Sequence, residues 1–320
     1  DFLIMGVDPA NLLWSTPLKL SAHGRQYLEQ LSGLPKESAE RLPFFLKYLP
    51  DKDLLIARDA YDEFARAPYD AIVALKPHMN RKQLVQWIRD PETTVNRRRL
   101  YLTMLSVCGT EKELPFLEEL LKSPERKQKS GLDALIACYL MLKGPDGLPL
   151  IERLFLKDKE AEYADTYAAI MALRFHGTET KAVPQKRVAQ AMALMLERPQ
   201  LADLVIPDLT RLEAWQEMDR MVKLFKEADD TSSWVRVPVI NYLRACPLPE
   251  AKAHLAKLAD LDPAAMKRAS TFFPFSDDEE DEAAGEEKAI AKDPLVPPQA
   301  PASKAPASEV TEPSVANGGA

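Results

Sequence analysis

Glycine is scarce in this chain, with 11 in 320 residues, and the glycine-rich loops that bind phosphates or dinucleotides are missing. The sequence contains no Gly-x-x-x-x-Gly-Lys loop, no Gly-x-Ser-x-Gly elbow and no His-Glu-x-x-His helix. These motifs supply a phosphate cradle, an exposed serine nucleophile and a zinc site respectively. The sequence therefore argues against the enzyme classes that depend on them.

Histidine and cysteine are also too few and too scattered for a metal site. The four histidines lie on separate segments, and the three cysteines form no Cys-x-x-Cys pair: His23, His78, His176, His254, Cys108, Cys138 and Cys246. An odd number of cysteines on apolar stretches predicts buried thiols and no disulfide framework. His176 and Glu179 are one histidine–carboxylate pair at close spacing, at a predicted helix end where the dipole favours a cationic ring. We expect no metal and no cofactor.

Long hydrophobic runs and a large excess of positive charge are absent too. No window of about 18 residues is free of charged residues, so no membrane span or signal peptide is predicted. The net charge is −7, but residues 274–320 carry 11 acidic residues and three lysines. The remaining 273 residues hold 38 acidic and 39 basic side chains and are close to neutral. A nucleic-acid channel needs a basic excess, so we expect no nucleic-acid partner.

Proline, in contrast, recurs at a nearly constant interval ahead of amphipathic segments. The spacings are 34, 38, 34, 35 and 65 residues between Pro43, Pro77, Pro115, Pro149, Pro184 and Pro249. Proline suits the first helical position because the missing N–H has no partner there. A second series, Gly109, Gly144 and Gly177, is typical of left-handed caps after a following helix. The two series predict about seven helix pairs stacked in an all-α solenoid, with an irregular, proline-free pair near Trp215.

These helix pairs resemble HEAT repeats over roughly residues 35–273. The segments 41–46, 59–64, 168–175 and 201–204 are similar to a family of exported bacterial HEAT-like proteins of unknown function. Members of that family have a signal peptide and a small β-rich domain ahead of the solenoid, and no established catalytic residues. The resemblance therefore implies an extracytoplasmic location, periplasmic or secreted, and a bacterial origin.

The two ends of the chain differ from the repeats. Residues 1–20 contain the short apolar run Phe2–Gly6 and resemble one strand of a sheet whose partners are missing, a remnant of an upstream β-domain. Ser21 is a suitable N-cap for a first helix that reaches Leu31, so the helical domain is predicted over 21–273. Residues 274–320 are acidic and rich in proline and alanine, a composition that predicts a disordered tail.

A cluster of basic residues is the first candidate site. Asn96 is predicted to cap a helix whose first turn holds three arginines, where the helix dipole disfavours cations. A basic group at the equivalent place of the next pair extends this ridge, and two aromatic residues lie close in sequence: Arg97, Arg98, Arg99, Arg126, Lys127, Trp87 and Tyr101. In HEAT-like proteins such a ridge would face the concave groove and bind an acidic protein segment. Alternatively, Asp90, Glu92 and Glu125 neutralise it internally.

The irregular pair holds the second candidate site, formed by Trp215, Asp219, Trp234 and Arg236. An aromatic–carboxylate cluster of this kind is what an enzyme on a HEAT-like fold, of the DNA glycosylase or chromophore lyase type, would need. Because no other reactive group stands out, the favoured function is a non-catalytic scaffold for a protein partner. The enzyme and a purely structural envelope role are the alternatives, and the sequence leaves the oligomeric state open.

Overall fold

A computed structural model describes residues 1–4, 6–8 and 13–272 and shows an all-α repeat fold after a small β segment. Helix α1 (Ala22–Leu31) precedes seven helix pairs within these residues. They are α2 (Ser38–Leu46) with α3 (Leu54–Arg66) and its continuation α4 (Tyr69–Ala74), α5 (Arg81–Arg89) with α6 (Val95–Cys108), α7 (Leu114–Lys122) with α8 (Leu132–Lys143), α9 (Leu148–Ile151) with α10 (Tyr163–Thr178), α11 (Gln185–Met192) with α12 (Ile206–Arg211), α13 (Met218–Glu227) with α14 (Arg236–Ala245), and α15 (Pro249–Leu261) with α16 (Pro263–Phe272).

The first helix of each pair is called A and the second B, and the two kinds form separate rows. In the B row, α4, α6, α8 and α10 contact each other in sequence, and α12, α14 and α16 do the same. In the A row, α13 lies against α15 and against the turn that follows α11. Apolar side chains from both rows fill the space between them, including Leu117, Ile136, Leu173, Leu209 and Ile240. The predicted solenoid of about seven pairs is confirmed.

The prolines mark helix starts only in part. Pro115, Pro149 and Pro249 occupy the first or second position of α7, α9 and α15, as predicted. Pro43 instead lies inside α2, and Pro77 lies in the 3₁₀ turn Lys76–His78. The irregular pair also occurs as predicted. The 3₁₀ turn Trp215–Glu217 leads into α13 without a proline, just after Glu213 adopts a φ of 52°.

The predicted left-handed glycine caps are mostly wrong. Gly109 ends α6 in an extended conformation, and Gly177 lies within α10. Gly144 alone of the three has a positive φ, of 67°. Gly109 has a packing role, because an added Cβ would lie 2.5 Å from the carbonyl oxygen of Leu105 and 2.9 Å from Cδ1 of Leu142.

Four short strands form two antiparallel pairs at the start of the chain. β1 (Phe2–Leu3) pairs with β4 (Leu18–Lys19), and β2 (Gly6–Asp8) pairs with β3 (Leu13–Trp14). The expectation that the first strand lacks its partners is thus wrong, since residues 13–19 supply them. Ser21 caps α1 as predicted, its side chain accepting a hydrogen bond from the amide of Gly24 at 2.9 Å. The predicted tail, 274–320, lies outside the described residues.

One contact joins parts of the stack that are far apart in sequence. Helix α3 stops at Ala67 because Pro68 follows, and α4 then begins with Tyr69. The ring of Tyr69 meets that of Phe175 on α10 edge-on, with centroids 5.1 Å apart. The first and fourth pairs therefore touch, although contacts in a helical stack are usually made between neighbouring units.

By length and composition alone, one described stretch, Leu132–Leu156, is long and apolar enough to cross a membrane, with a mean hydropathy of 1.3. It comprises α8, the 3₁₀ turn Gly144–Gly147, α9 and the π-helical turn Glu152–Leu156. Helix α8 packs against α6, α7 and α10. A helix that is buried on several sides in the core of a protein has the same apolar composition as a membrane-spanning helix.

Candidate functional site

Successive pairs are tied together by cation–aspartate contacts that repeat along the B row. The donor–acceptor distances lie between 2.7 and 2.9 Å for Arg99–Asp133, Lys129–Asp165, Arg174–Asp208 and Arg236–Asp262. Asp133, Asp165 and Asp208 stand in the first turn of α8, α10 and α12, where the helix dipole favours a negative charge. Each of these three aspartates thus stabilises the start of its own helix and also binds a cation from the preceding helix or turn.

These contacts change the prediction of an exposed basic ridge. Arg98 is 5% exposed, and its Nη2 donates to the carbonyl of Gln128 at 2.8 Å while its Nε has no partner in the described structure. Burial lowers the pKa of Arg98. Because it faces the turn before α8, Arg98 is not available to a partner, and its assignment to the ridge is wrong.

Two of the four remaining ridge cations are neutralised, but by carboxylates other than the predicted ones. Arg99 pairs with Asp133, and Arg126 pairs with Glu162 at 2.8 Å. Asp90 instead accepts a hydrogen bond from the amide of Glu92, and Glu125 accepts one from the side chain of Gln128.

The cause lies in the helix boundaries. Thr94, and not Asn96, precedes α6, and Arg126 and Lys127 lie in the turn that precedes α8. Among the described residues, Arg97 and Lys127 are the ridge cations whose side chains make no hydrogen bond or ion pair.

The two aromatic residues of the predicted ridge pack together. Tyr101 is 3% exposed, and its ring centroid is 4.8 Å from that of half-buried Trp87. Trp87 also lines a small cavity of about 190 Å³ between the end of α2 and α5, together with Leu46, Met79 and Leu84. Tyr101 is therefore a core residue, whereas one face of Trp87 remains accessible.

The second candidate set is not assembled. Trp215 packs on Tyr242 with centroids 5.3 Å apart, and Arg236 pairs with Asp262 and donates to the carbonyl of Ala228. Trp234 instead hydrogen-bonds Asp203. Burial raises the pKa of Asp203, and this hydrogen bond offsets part of the rise. Within the described part of the chain, no hydrogen bond, ion pair or ring contact joins any two of Trp215, Asp219, Trp234 and Arg236.

The histidine and cysteine side chains have structural surroundings. His176 is fully buried between the carbonyl of Ala137, at 3.1 Å, and the hydroxyl of Thr180, at 3.0 Å. His176 lies in the last turn of α10, as predicted, but burial lowers its pKa and so opposes the cationic ring that the helix dipole favours. Cys138 and Cys246 are buried as predicted, and Cys108 is half-buried. No group of three or more metal-ligating side chains occurs in residues 1–4, 6–8 and 13–272.

A row of exposed apolar side chains was missed from the sequence. One lies at or beside five of the seven A-to-B connections in the described chain, with exposures from 45% to 79%. Leu54, Val95 and Tyr163 begin B helices, Trp234 lies in the 3₁₀ turn before α14, and Leu261 ends α15. The equivalent residues of α8 and α12, Leu132 and Ile206, are buried. The available signal, for Leu54, Val95 and Tyr163, was an apolar residue at a helix start, a position that is usually polar. We call these five residues the apolar edge.

No protein-family model matches the chain, and neither the curated proteins nor the solved structures contain a match.

Proposed function

We propose that this protein is a non-catalytic scaffold that binds another protein along its apolar edge. The observation that carries the proposal is the repetition of the edge. Large apolar residues recur along the stack, at or beside five of the described A-to-B connections, each at least 45% exposed. Contiguous or aligned apolar surface with a polar rim is characteristic of protein interaction sites. The proposal includes a location outside the cytoplasm, which is supported only by the resemblance of the sequence to exported HEAT-like proteins.

The charges beside the edge favour a protein partner. Arg97 and Lys127 lie in or near the same connections, and their side chains make no ion pair in the described residues. Isolated cations at the rim of an apolar surface increase the rate at which a partner associates more than they increase its affinity. Two cations are too few for the phosphate contacts on which nucleic-acid binding depends.

A photo-crosslinking experiment tests the proposal. A photoreactive phenylalanine is placed at Val95 or Tyr163 in the full chain, and at Leu248 as control. Leu248 is 39% exposed but lies in the B-to-A connection before α15. We expect the same partner protein to crosslink from positions 95 and 163 and not from 248.

Substitution of the edge is the complementary measurement. Changing Val95 and Tyr163 together to serine should abolish capture of that partner and leave the thermal unfolding profile nearly unchanged, because both residues are about half exposed, at 45% and 57%. Equal crosslinking at all three positions, or retained capture by the serine variant, would show that the edge is not the binding surface.

A further inference from the structure

We propose that the surface between α10 and α12 binds a carboxylate side chain of an acidic protein segment, through Arg211 and the neighbouring tyrosines. This inference rests on the proposed scaffold function and adds the chemistry of the partner. This surface is separate from the basic ridge at residues 97–99 and 126–127 that the sequence predicted as a binding site. The site contains two arginines, one buried aspartate and two tyrosines: Arg174, Arg211, Asp208, Tyr163 and Tyr167.

The charges of this site do not balance. Asp208 is 2% exposed, and both Arg174 and Arg211 form ion pairs with its carboxylate. One negative charge thus faces two guanidinium groups. A buried aspartate needs a single well-placed arginine for compensation. Asp208 alone therefore does not neutralise both arginines.

Arg211 is the more accessible of the two arginines. Arg174 uses Nε and Nη2 on Asp208, and its Nη1 and Nη2 also contact Met171 Sδ and the carbonyl of Leu204. Arg211 uses only Nη2, on Asp208, and its side chain is 52% exposed. Its Nε and Nη1 groups have no partner in the described structure. The Nε–H and Nη1–H groups point to different sides of the guanidinium, so each can donate one charge-assisted hydrogen bond to a carboxylate oxygen.

Two stacked tyrosines connect this arginine pair to the apolar edge. The rings of Tyr163 and Tyr167 are nearly parallel, at 13°, with centroids 6.0 Å apart, and Tyr163 is 57% exposed. The Tyr167 hydroxyl lies near Arg174, since it is one of the groups, after Asp208, that raise the pKa of that arginine. A bound segment could thus place an apolar side chain on Tyr163 and a carboxylate on Arg211.

The surroundings favour a carboxylate over a more highly charged ligand. Glu162, Glu179 and Glu213 are exposed beside the same helices and would repel a polyanion. A peptide with spaced acidic residues satisfies one guanidinium without crowding charge against these side chains. Nucleic acid is therefore the less favoured ligand, and the experiment includes it.

The test measures binding of short fluorescent peptides to the full chain by anisotropy at low salt. One probe is Gly-Gly-Trp-Gly-Glu-Gly, the control is Gly-Gly-Trp-Gly-Gln-Gly, and a single-stranded oligonucleotide is the third ligand. We expect the glutamate peptide to bind at least roughly tenfold more tightly than the glutamine peptide, the size of one hydrogen bond between charged groups. Its affinity should fall as salt is added.

Single substitutions then locate the binding. Arg211→Gln should weaken the glutamate peptide roughly tenfold, and Tyr163→Ser should also weaken it. Arg187→Gln is the matched control, since Arg187 is 40% exposed on α11 and also paired with a carboxylate. Equal binding by wild type and Arg211→Gln, or tighter binding of the oligonucleotide, would overturn the inference.

A further variant separates a partner from the chain itself. In the full chain, the acidic residues 277–282 are changed to asparagine and glutamine. If the peptide binds this variant but not the wild type, the occupant is the chain's own acidic run and a separate partner is wrong. Loss of the Arg211 effect with crosslinking at 95 and 163 intact would contradict this inference and leave the scaffold function standing.

Discussion

Arg174 and Asp208 are joined by three hydrogen bonds of 2.7 to 3.1 Å across 34 residues of sequence. The separation is close to one repeat, so the contact ties the fourth B helix to the fifth. Arg99–Asp133, with the same separation, and Lys129–Asp165, two residues longer, make the equivalent tie between earlier pairs. The difference among the three lies in burial, because Asp208 is almost inaccessible whereas Asp133 is 29% exposed.

This difference predicts unequal costs for removing each aspartate. Asp208→Ala leaves two arginines without a carboxylate and should lower the free energy of unfolding by about 3 kcal/mol. Asp133→Ala removes a partly exposed partner and should cost about 1 kcal/mol or less. Urea unfolding followed by circular dichroism compares the two. Equal losses would show that burial does not set the strength of these ties.

Arg98 predicts a substitution that should not harm the fold. Its charge is buried, its Nε is unpaired, and no carboxylate of the described residues forms an ion pair with it. Arg98→Met keeps the volume and removes the buried charge, so it should stabilise the protein by about 1 kcal/mol. Arg97→Met, on the surface beside it, should change stability by less than about 0.5 kcal/mol. A clear loss of stability in Arg98→Met would mean that the bond to Gln128 outweighs the cost of burying the charge.

The helix pairs were predictable from the sequence, whereas the burial and the ion-pair partners of the ridge arginines were not. Apolar spacing and Pro115, Pro149 and Pro249 mark helices because both effects are local. Whether Arg97 or Arg98 faces solvent depends on where α6 begins, and the chain starts that helix at Val95, one residue ahead of the predicted cap Asn96. Neighbouring helical residues point about 100° apart, so a small shift of a boundary decides which cation is buried. The partners Asp133 and Glu162 belong to following pairs and could not be chosen without the packing.

His176 predicts a pH dependence of stability. Burial lowers its pKa in the folded protein, while the contact with the Ala137 carbonyl opposes the shift. Below about pH 6.5 the unfolded chain therefore binds a proton that the folded chain does not. The free energy of unfolding should fall as the pH drops below that value, until the buried ring also titrates.

Unfolding in urea at several pH values between 7.5 and 5 measures the slope. His176→Gln should reduce it, whereas His78→Gln, at an exposed position, should retain the wild-type slope. An unchanged slope in His176→Gln would assign the effect to other groups.

Gly144 and Gly177 predict opposite results for the same substitution. Gly144 has φ 67° and ψ −155°, a conformation open almost only to glycine, so Gly144→Ala should cost about 1 to 3 kcal/mol. Gly177 lies within α10, and an added Cβ would meet Leu212 and Val188 at ordinary contact distances of 3.5 and 3.6 Å. Gly177→Ala should therefore be neutral or stabilise by up to about 1 kcal/mol. Thermal unfolding of the two variants compares them, and equal destabilisation would contradict the assigned backbone conformations.

The contact of Tyr69 with Phe175 affects how the protein unfolds. A stack held only by neighbouring units can lose its end units one at a time, and each then exchanges its amide protons independently. A ring contact spanning 106 residues closes α4, α6, α8 and α10 into a loop of interactions. The first four pairs should therefore open together as one cooperative block. The last three, held by successive neighbours, are free to fray from their end.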